Sequence, residues 1–434
     1  EDPVQLQQLL LKQEALLAAV NELRTDFDIL VRRLETRNIP VDKHLRLQRA
    51  IRSANLPQFA PTFDGILQDK TLATQILGAA GQVSWSSSRR VSSQSSRNAT
   101  AVQKDKVVVV GGVRKHSSKS VSDCANSMEI LDIHSGKWEA AQAFSVPRVG
   151  GGAAVLGGYL YVCGGFGKTV VRYAPALDKD PGTAWAWRSM PSLRAPRHAC
   201  AAVALDRSLY VLGGQEDPAR DAWKSVERLE PSSTEHMLFE WVLPGMTCRR
   251  RSHAAVALQH RIFICGGCDR GIARQDSADL DVARSAEVFS PATGEFIPLP
   301  SMAVHRLYHA AVATGDRVVV TGGNDPSGQH RENTVEVFEP LAMCWTLCPR
   351  MYMMQMRGAH VSAFAAGKLY VIGGSSSDVP DCPAERSSQR LDLEASTSTW
   401  EEQVPMHVSR TCCCGAVVTM GPGPAEWPRG RCAK

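Results

Sequence analysis

The sequence predicts an all-β domain built from six copies of one four-stranded antiparallel unit, preceded by an α-helical extension. Three observations support this: a glycine pair recurs about every fifty residues, a large aromatic residue follows each pair, and an arginine follows each aromatic. The 434 residues are too many for one domain of the usual size, about 100–200 residues. One large β assembly with an appendage fits this length.

The composition is that of a globular protein with many turns. Hydrophobic residues make up 44% of the chain and charged residues 21%, and there are 34 Gly and 24 Pro. The net charge of +5, from 49 basic and 44 acidic residues, is too small to imply nucleic-acid binding. The uncharged stretch 149–167 contains eight glycines and is divided by the repeat, so we expect no membrane span.

Cysteine placement favours a reducing compartment. Several of the 13 Cys, such as Cys163 and Cys265, lie inside apolar runs where a small buried side chain is wanted, and no disulfide framework is visible. We therefore expect a cytoplasmic protein. Because the chain begins at Glu1, an organellar location after removal of a targeting segment is the alternative.

The glycine pairs follow apolar, β-rich runs at intervals of 53, 49, 53, 56 and 51 residues. They are Gly111-Gly112, Gly164-Gly165, Gly213-Gly214, Gly266-Gly267, Gly322-Gly323 and Gly373-Gly374. The aromatics that follow them are Trp138, Trp187, Trp241, Phe296, Trp345 and Trp400. The arginines are Arg148, Arg197, Arg251, Arg306, Arg357 and Arg410, and the first five lie 15 or 16 residues before the next pair. The interval from aromatic to arginine and the interval from arginine to the next glycine pair are nearly fixed, whereas the interval from glycine pair to aromatic varies. This pattern indicates paired strands joined by a loop of variable length.

Each repeat reads as an antiparallel meander. In 251–267, a strand of small residues turns at Gln259-His260 into an apolar strand that ends at the glycine pair. A third, alternating strand follows, as at 128–133 and 335–340, and the fourth strand carries the aromatic. A single meander cannot bury both apolar faces, so the copies must pack on one another, with small residues in the crowded centre and the aromatics between units.

These motifs resemble the Kelch repeat: a glycine pair, a spaced tryptophan, then Met-Pro and Arg, clearest in MPSLRAPRH (190–198) and MAVHRLYH (302–309). The resemblance covers 97–420 and implies a six-bladed Kelch β-propeller of four-stranded antiparallel blades. Two segments compete to complete the first blade. The strand at 411–420 lacks a following glycine pair, and 97–102 has the same small-residue character.

Residues 1–38 are predicted to form a coiled-coil helix. Apolar residues occupy both seam positions of a heptad, with Gln13 as a polar break. The seam residues are Leu6, Leu9, Leu16, Val20, Leu23, Phe27, Leu30 and Leu34. The pattern predicts self-association or pairing with a partner helix, and docking on the propeller is the alternative. We expect short helices at 39–81, a Ser-rich linker at 82–96 and a Pro/Gly-rich tail at 421–434.

No residue pattern predicts catalysis, a cofactor or a metal. His253, His309 and His360 each lie thirteen residues before a glycine pair. A ring of metal ligands is conceivable there, but a structural hydrogen bond explains them better. Cys265 and Cys268 have no second pair at zinc-site spacing, and side chains of Cys412–Cys414 in a strand cannot all converge.

The resemblance implies that partners bind at the propeller rim, where loops after the glycine pairs meet loops carrying the arginines. The candidate contacts are Arg148, Arg197, Arg249, Arg250, Arg251, Arg306, Arg357, Arg410, Phe166, Gln215, Asn324 and Ser375. Guanidinium groups match carboxylates or phosphates bidentately, so the expected ligand is an acidic or phosphorylated peptide. Alternatively, each repeated arginine joins adjacent blades by binding backbone carbonyls. The loop 269–285 is a further recognition candidate.

The expected function is therefore that of a non-enzymatic protein-protein interaction scaffold. A Kelch-fold metalloenzyme and a substrate adaptor of a ubiquitin ligase are the alternatives. Such adaptors of this family carry a BTB domain before the propeller, and the residues before 97 are too few and too helical in pattern to match one.

Overall fold

The computed structural model describes residues 104–114, 126–141, 147–165, 167–174, 186–217, 220–231, 238–269, 277–326, 330–376, 384–393 and 399–420. The predicted coiled coil at 1–38, the helices at 39–81, the linker at 82–96 and the tail at 421–434 lie outside these ranges, as does Phe166.

The described residues form 24 strands in six antiparallel four-stranded sheets, the blades of a propeller. Blade 1 contains β1 (Lys104–Val110), β2 (Met128–Asp132), β3 (Lys137–Ala141) and β24 (Cys414–Met420). Blade 2 contains β4 (Gly151–Leu156), β5 (Tyr159–Gly164), β6 (Val170–Ala174) and β7 (Ala186–Met190). Blade 3 contains β8 (Ala201–Leu205), β9 (Ser208–Leu212), β10 (Val226–Leu229) and β11 (Glu240–Val242).

Blade 4 contains β12 (Ala254–Leu258), β13 (Arg261–Cys265), β14 (Ala286–Ser290) and β15 (Glu295–Leu299). Blade 5 contains β16 (Ala310–Thr314), β17 (Arg317–Thr321), β18 (Val335–Glu339) and β19 (Cys344–Leu347). Blade 6 contains β20 (Val361–Ala365), β21 (Lys368–Ile372), β22 (Ser388–Asp392) and β23 (Trp400–Gln403). Helix α1 (Ser277–Arg284) precedes β14, and a 3₁₀ turn spans Pro349–Met351.

The C-terminal strand completes the first blade. Strand β24 pairs with β1 in the register Lys104 to Met420 and Val110 to Cys414, so the strand order is β24-β1-β2-β3. Of the two segments that compete for this place in the sequence, 411–420 therefore contains the closing strand. The other, 97–102, lies outside the described residues.

The innermost strands close a ring. Each of β4, β8, β12, β16 and β20 contacts the next in order, and β24 contacts both β20 and β4. Small residues are required where these strands converge: a Cβ on Gly152 would lie 2.5 Å from the backbone nitrogen of Ala202. The second strand of each blade is buried on both faces, as Val107 and Val162 illustrate with no exposed surface, which suits its β-branched residues.

Three of the repeated aromatic residues join consecutive blades through hydrogen bonds. The indole N–H of Trp138 donates to the carbonyl of Val404, that of Trp345 to Pro300, and that of Trp400 to Met351, each on the connection from the preceding blade. Trp241 instead is 41% exposed, contrary to the expected burial, and its ring centroid lies 5.6 Å from the guanidinium carbon of the buried Arg197. Within the described part of the chain, no helix is long and apolar enough to cross a bilayer.

Candidate functional site

The repeated arginines are buried and hold the connections between blades. Five of them donate to the carbonyl of the first glycine in the pair sixteen residues later, as Arg197 Nη1 does to Gly213 O at 2.6 Å. Arg410 Nη1 instead donates to Gly111 O of the first blade, at 2.8 Å. In the third connection the buried arginine is Arg250, which donates to Gly266 O, whereas the sequence prediction placed Arg251 there. The interval between the arginine and the next glycine pair could have identified Arg250. Arg250 is sixteen residues before Gly266, as in the other four intervals, and Arg251 is fifteen.

Four of these arginines meet a buried glutamate in the third strand of the following blade. The pairs are Arg197–Glu227, Arg250–Glu287, Arg306–Glu336 and Arg410–Glu129, at 2.8–3.0 Å. The carboxylates also accept backbone N–H groups of the connecting loop, for example Arg194 N–H to Glu227 Oε2 at 2.6 Å. These arginines therefore fasten each connection to the next blade, the alternative that the sequence left open, and their guanidinium groups are not available at the rim.

Sequence reasoning missed the glutamates, although a signal was present. Each is the second residue of its third strand, directly after an apolar first residue, as in MEILDI and VEVFEP. Burial acts to raise the pKa of Glu129, but hydrogen bonds from the His407 backbone and from Arg410 outweigh it and lower that pKa. The carboxylate is thus charged in the folded protein.

A closed cycle of backbone hydrogen bonds surrounds the propeller axis. In each connection, the residue two positions after the buried arginine donates its N–H to the carbonyl of its counterpart in the preceding connection, at 2.7–3.0 Å. The six residues are Gly150, Ala199, Ser252, Tyr308, Ala359 and Cys412, all at φ between +53° and +63°. This left-handed conformation turns the chain from the connecting loop into the innermost strand.

Backbone bridges lie beside this cycle. They join the residue directly after a glycine pair to the residue directly before a member of the cycle. Backbone bridges join His198 to Gln215, Arg251 to Cys268, Leu307 to Asn324 and Gly358 to Ser375. The structure thus brings the predicted Gln215, Asn324 and Ser375 together with Arg251 at one end of the axis. We call this group the axial site, defined by His198, Gln215, Arg251, Tyr308, Asn324, Arg331, Ser375 and Cys412.

Several polar groups of the axial site are buried without a protein partner. Among the described residues, neither the Gln215 amide atoms, nor Arg251 Nε, nor Ser375 Oγ has a hydrogen-bond partner. Gln215 is 1% exposed, Arg251 7% and Ser375 fully buried. A buried polar group left unpaired costs about 1–3 kcal/mol, so such a concentration marks a place where a ligand or water supplies the missing bonds.

The charges of the axial site favour an anion. Burial raises the pKa of Tyr308 and raises that of Cys412 to about 11, so both groups are neutral donors at pH 7. Burial and the positive charge of Arg251 lower the pKa of His198. Arg331, 7% exposed, donates from Nη1 to Asn324 Oδ1 at 2.8 Å and adds a second guanidinium.

Arg249 differs from its two neighbours because it is exposed. Its side chain is 49% exposed and forms an ion pair of 3.1 Å with Asp221. It therefore stays a candidate rim contact, whereas the buried Arg250 does not. In the predicted recognition loop, α1 occupies Ser277–Arg284, and residues 270–276 lie outside the described ranges.

The three repeated histidines are buried in the core. His360 Nε2 lies 2.9 Å from Thr321 Oγ1 and His309 Nε2 lies 3.5 Å from Cys265 Sγ, while neither ring nitrogen of His253 has a hydrogen-bond partner. Burial lowers the pKa of His253 and of His360 to about 3. Within the described ranges, no group of three or more His, Cys, Asp or Glu is placed to hold a metal ion.

Comparison with known proteins agrees with this architecture. Residues 197–420, about half of the chain, match the family model described as the KLHDC2/KLHL20/DRC7 Kelch-repeats domain. Kelch-like protein 25 of Xenopus tropicalis is 27% identical over 257 residues, covering 55% of this chain and 38% of that protein. Kelch-like protein 36 of Bos taurus is 24% identical over 298 residues, covering 65% and 44%.

The chain therefore spans less than half the length of these two curated relatives. The solved structure of YjhT is similar with a TM-score of 0.52 at 13% identity, covering 64% of this chain and 89% of that one. That likeness concerns the fold alone.

Proposed function

The chain belongs to the Kelch-repeat family, and on that premise we propose that its propeller is a non-enzymatic protein-interaction module whose axial site binds an acidic segment of a partner. The observation that carries the proposal is Arg251, a guanidinium that is 7% exposed and makes no ion pair among the described residues. Burial of an uncompensated charge is costly, and a ligand carboxylate or phosphate would offset that cost.

The neighbouring groups fit such a ligand. Among the described residues, no group hydrogen-bonds to the Gln215 amide or to the Ser375 hydroxyl, and Arg331 contributes positive charge beside Asn324. Arg249, exposed at the outer edge, supports long-range attraction of the same acidic segment. The ten free cysteines among the described residues support a reducing compartment such as the cytoplasm.

We propose further that the heptad segment at 1–38 mediates oligomerisation or docking into a larger assembly. The support is the sequence pattern alone, with Leu9, Leu16, Leu23 and Leu30 at one seam position. Affinity purification of the full chain beside a chain lacking residues 1–80 separates partners recruited by this segment from those recruited by the propeller.

The test of the axial site compares Arg251→Ala with the full-length protein in binding to an array of acidic and phosphorylated peptides. Removal of an unpaired buried charge leaves the melting temperature unchanged or raises it, while peptide binding falls at least about tenfold. Arg228→Ala is the matched control, because Arg228 lies on the outer side of blade 3 in an exposed pair with Glu240. Binding that persists in Arg251→Ala refutes the axial site.

A metalloenzyme is the competing function, and elemental analysis of the purified full chain tests it. Stoichiometric copper, iron or zinc would favour the enzyme, whereas metal-free protein that still binds acidic peptides favours the interaction module.

A further inference from the structure

Within the described residues, two of the six connections between blades lack the ion pair that fastens the other four. The position of the paired glutamate is occupied by Val171 in blade 2 and by Gln389 in blade 6, as the strand registers show. The arginines at these connections, Arg148 and Arg357, are nevertheless buried, with 3% and 0% of their surface exposed.

Arg148 is the less satisfied of the two. Its Nη1 donates to the carbonyls of Gly164 and Thr169 at 2.6 and 2.8 Å, but its Nε is buried without a partner among the described residues. Among the described residues, the groups that interact electrostatically with it are the thiols of Cys163, Cys200 and Cys414, and burial lowers its pKa.

Arg357 keeps more hydrogen bonds but likewise has no ion pair within the described ranges. It donates to Gly373 O at 2.8 Å, to Ser387 Oγ at 2.7 Å and to Gln355 Oε1 at 3.1 Å. Its Nε and the Oε1 of Gln389 are both buried without partners. An amide in place of a carboxylate therefore leaves one donor and one acceptor unpaired at this connection.

We propose that the propeller opens at these two junctions, so that blades 6 and 1 separate from blades 2–5 as one body. Blades 6 and 1 stay together because Arg410 pairs with Glu129 and because β24, which follows blade 6, is hydrogen-bonded to β1. Blades 2–5 stay together through the pairs of Glu227, Glu287 and Glu336. The opening therefore breaks none of the four buried ion pairs.

The two bodies carry opposite sides of the axial site. Gln215 and Arg251 belong to blades 2–5, whereas Ser375 and Cys412 belong to blades 6 and 1. Opening at the two junctions widens the axial site without unfolding a blade. It therefore gives a route of entry for a ligand that the closed ring buries.

The cycle of backbone hydrogen bonds provides one amide probe for each junction. The N–H of Gly150 bridges blades 1 and 2, and that of Ala359 bridges blades 5 and 6. The N–H groups of Ala199, Ser252, Tyr308 and Cys412 bridge the four junctions that carry an ion pair. Residue-resolved hydrogen exchange of the full chain, by mass spectrometry with fragmentation in the gas phase, measures all six in one experiment.

We expect the amides of Gly150 and Ala359 to exchange at least about tenfold faster than the other four. Gln389→Glu restores the missing carboxylate and slows exchange at Ala359 and, because the two junctions open in one event, at Gly150 as well. Val171→Glu supplies a carboxylate at the other junction and slows exchange at the same two amides, while the four amides at the ion-paired junctions are the internal control in both variants. Equal exchange at all six amides, or a folded Gln389→Glu protein with unchanged exchange at Ala359, overturns the proposal.

If neither variant folds, Glu336→Gln gives the reciprocal measurement in the same experiment. Loss of this carboxylate leaves Arg306 unpaired, as Gln389 leaves Arg357, and should accelerate exchange at Tyr308 alone by about tenfold or more. Unchanged exchange at Tyr308 in a folded Glu336→Gln protein would show that the ion pairs do not control opening, and the proposal would then fail.

Discussion

Arg197 donates from Nε to Oε1 of Glu227 over 2.9 Å, and neither side chain has any surface exposed to solvent. Arg197 ends the connection from blade 2, and Glu227 lies in the third strand of blade 3. Because both charges are buried, each is stable in the interior only while the other is present.

Glu227→Gln should therefore destabilise the protein. The loss of one partner leaves a buried, uncompensated guanidinium, at a cost of about 3–5 kcal/mol. Urea unfolding followed by circular dichroism measures this difference. Glu240→Gln, in an exposed pair with Arg228, is the matched control and should change stability by less than about 1 kcal/mol. Equal effects of the two changes would contradict the role assigned to the buried pair.

Stability should fall on mild acidification because of the core histidines. His253 and His360 have folded-state pKa values of about 3, lowered first by burial and then by nearby arginines. These histidines take up protons near pH 6.5 in the unfolded chain, whereas in the folded chain they stay neutral until about pH 3. The free energy of unfolding is therefore at its full value above about pH 6.5 and decreases as the pH falls towards about 3. Each histidine then costs about 1.4 kcal/mol per pH unit within this window.

His253→Leu isolates this effect, because the imidazole of His253 makes no hydrogen bond to any residue that the structure describes. At pH 7 we expect the free energy of unfolding of the variant to be close to that of the parent protein. Between pH 6 and pH 4 it should fall less steeply than that of the parent, as urea unfolding at each pH can measure. A variant whose pH profile superposes on that of the parent would disprove the titration of His253.

The first glycine of a pair should not tolerate a side chain. Gly164 has φ of +68°, and a Cβ there would clash with the carbonyl oxygen of Arg197. Gly294 has φ of +73° but no atom within 4 Å of such a Cβ, so it separates backbone strain from the clash. Gly294→Ala should cost about 1–2 kcal/mol and Gly164→Ala distinctly more, as thermal unfolding can show. Comparable losses would mean that the close approach to Arg197 is unimportant.

Deletion of the closing strand should abolish cooperative folding. A chain that ends at Cys413 lacks β24, leaving β1 with a free edge and the ring of innermost strands open. We expect a broad thermal transition and self-association in light scattering. A chain that ends at Met420 keeps the strand and is the control; a sharp transition for the shorter chain would argue against closure by β24.

The repeat made the blades predictable, because six copies of one pattern fix the strands relative to the glycine pairs. The same repeat led to the assignment of Arg251, instead of Arg250, as the buried arginine of the third connection. Three consecutive arginines fit the motif nearly equally, and only the interval to Gly266 identifies Arg250. Arg251 thereby proved to be a component of the axial site rather than of the connection.

Other features depend on which segments meet in space, and no single repeat contains that information. Strand β24 pairs with a strand more than 300 residues away in sequence, as Val110 and Cys414 show, and 97–102 has a similar composition. The unpaired state of Gln215 and Ser375 likewise arises only when the six connections converge.

The cycle that passes through Ser252, Tyr308 and Cys412 is made entirely by main-chain atoms. Its geometry requires a left-handed backbone but no particular functional group at these positions, and the chain has glycine, alanine, serine, tyrosine and cysteine there. Evolution can exchange the chemistry displayed at the centre of the molecule while the frame stays intact, so relatives with the same architecture are free to recognise dissimilar targets.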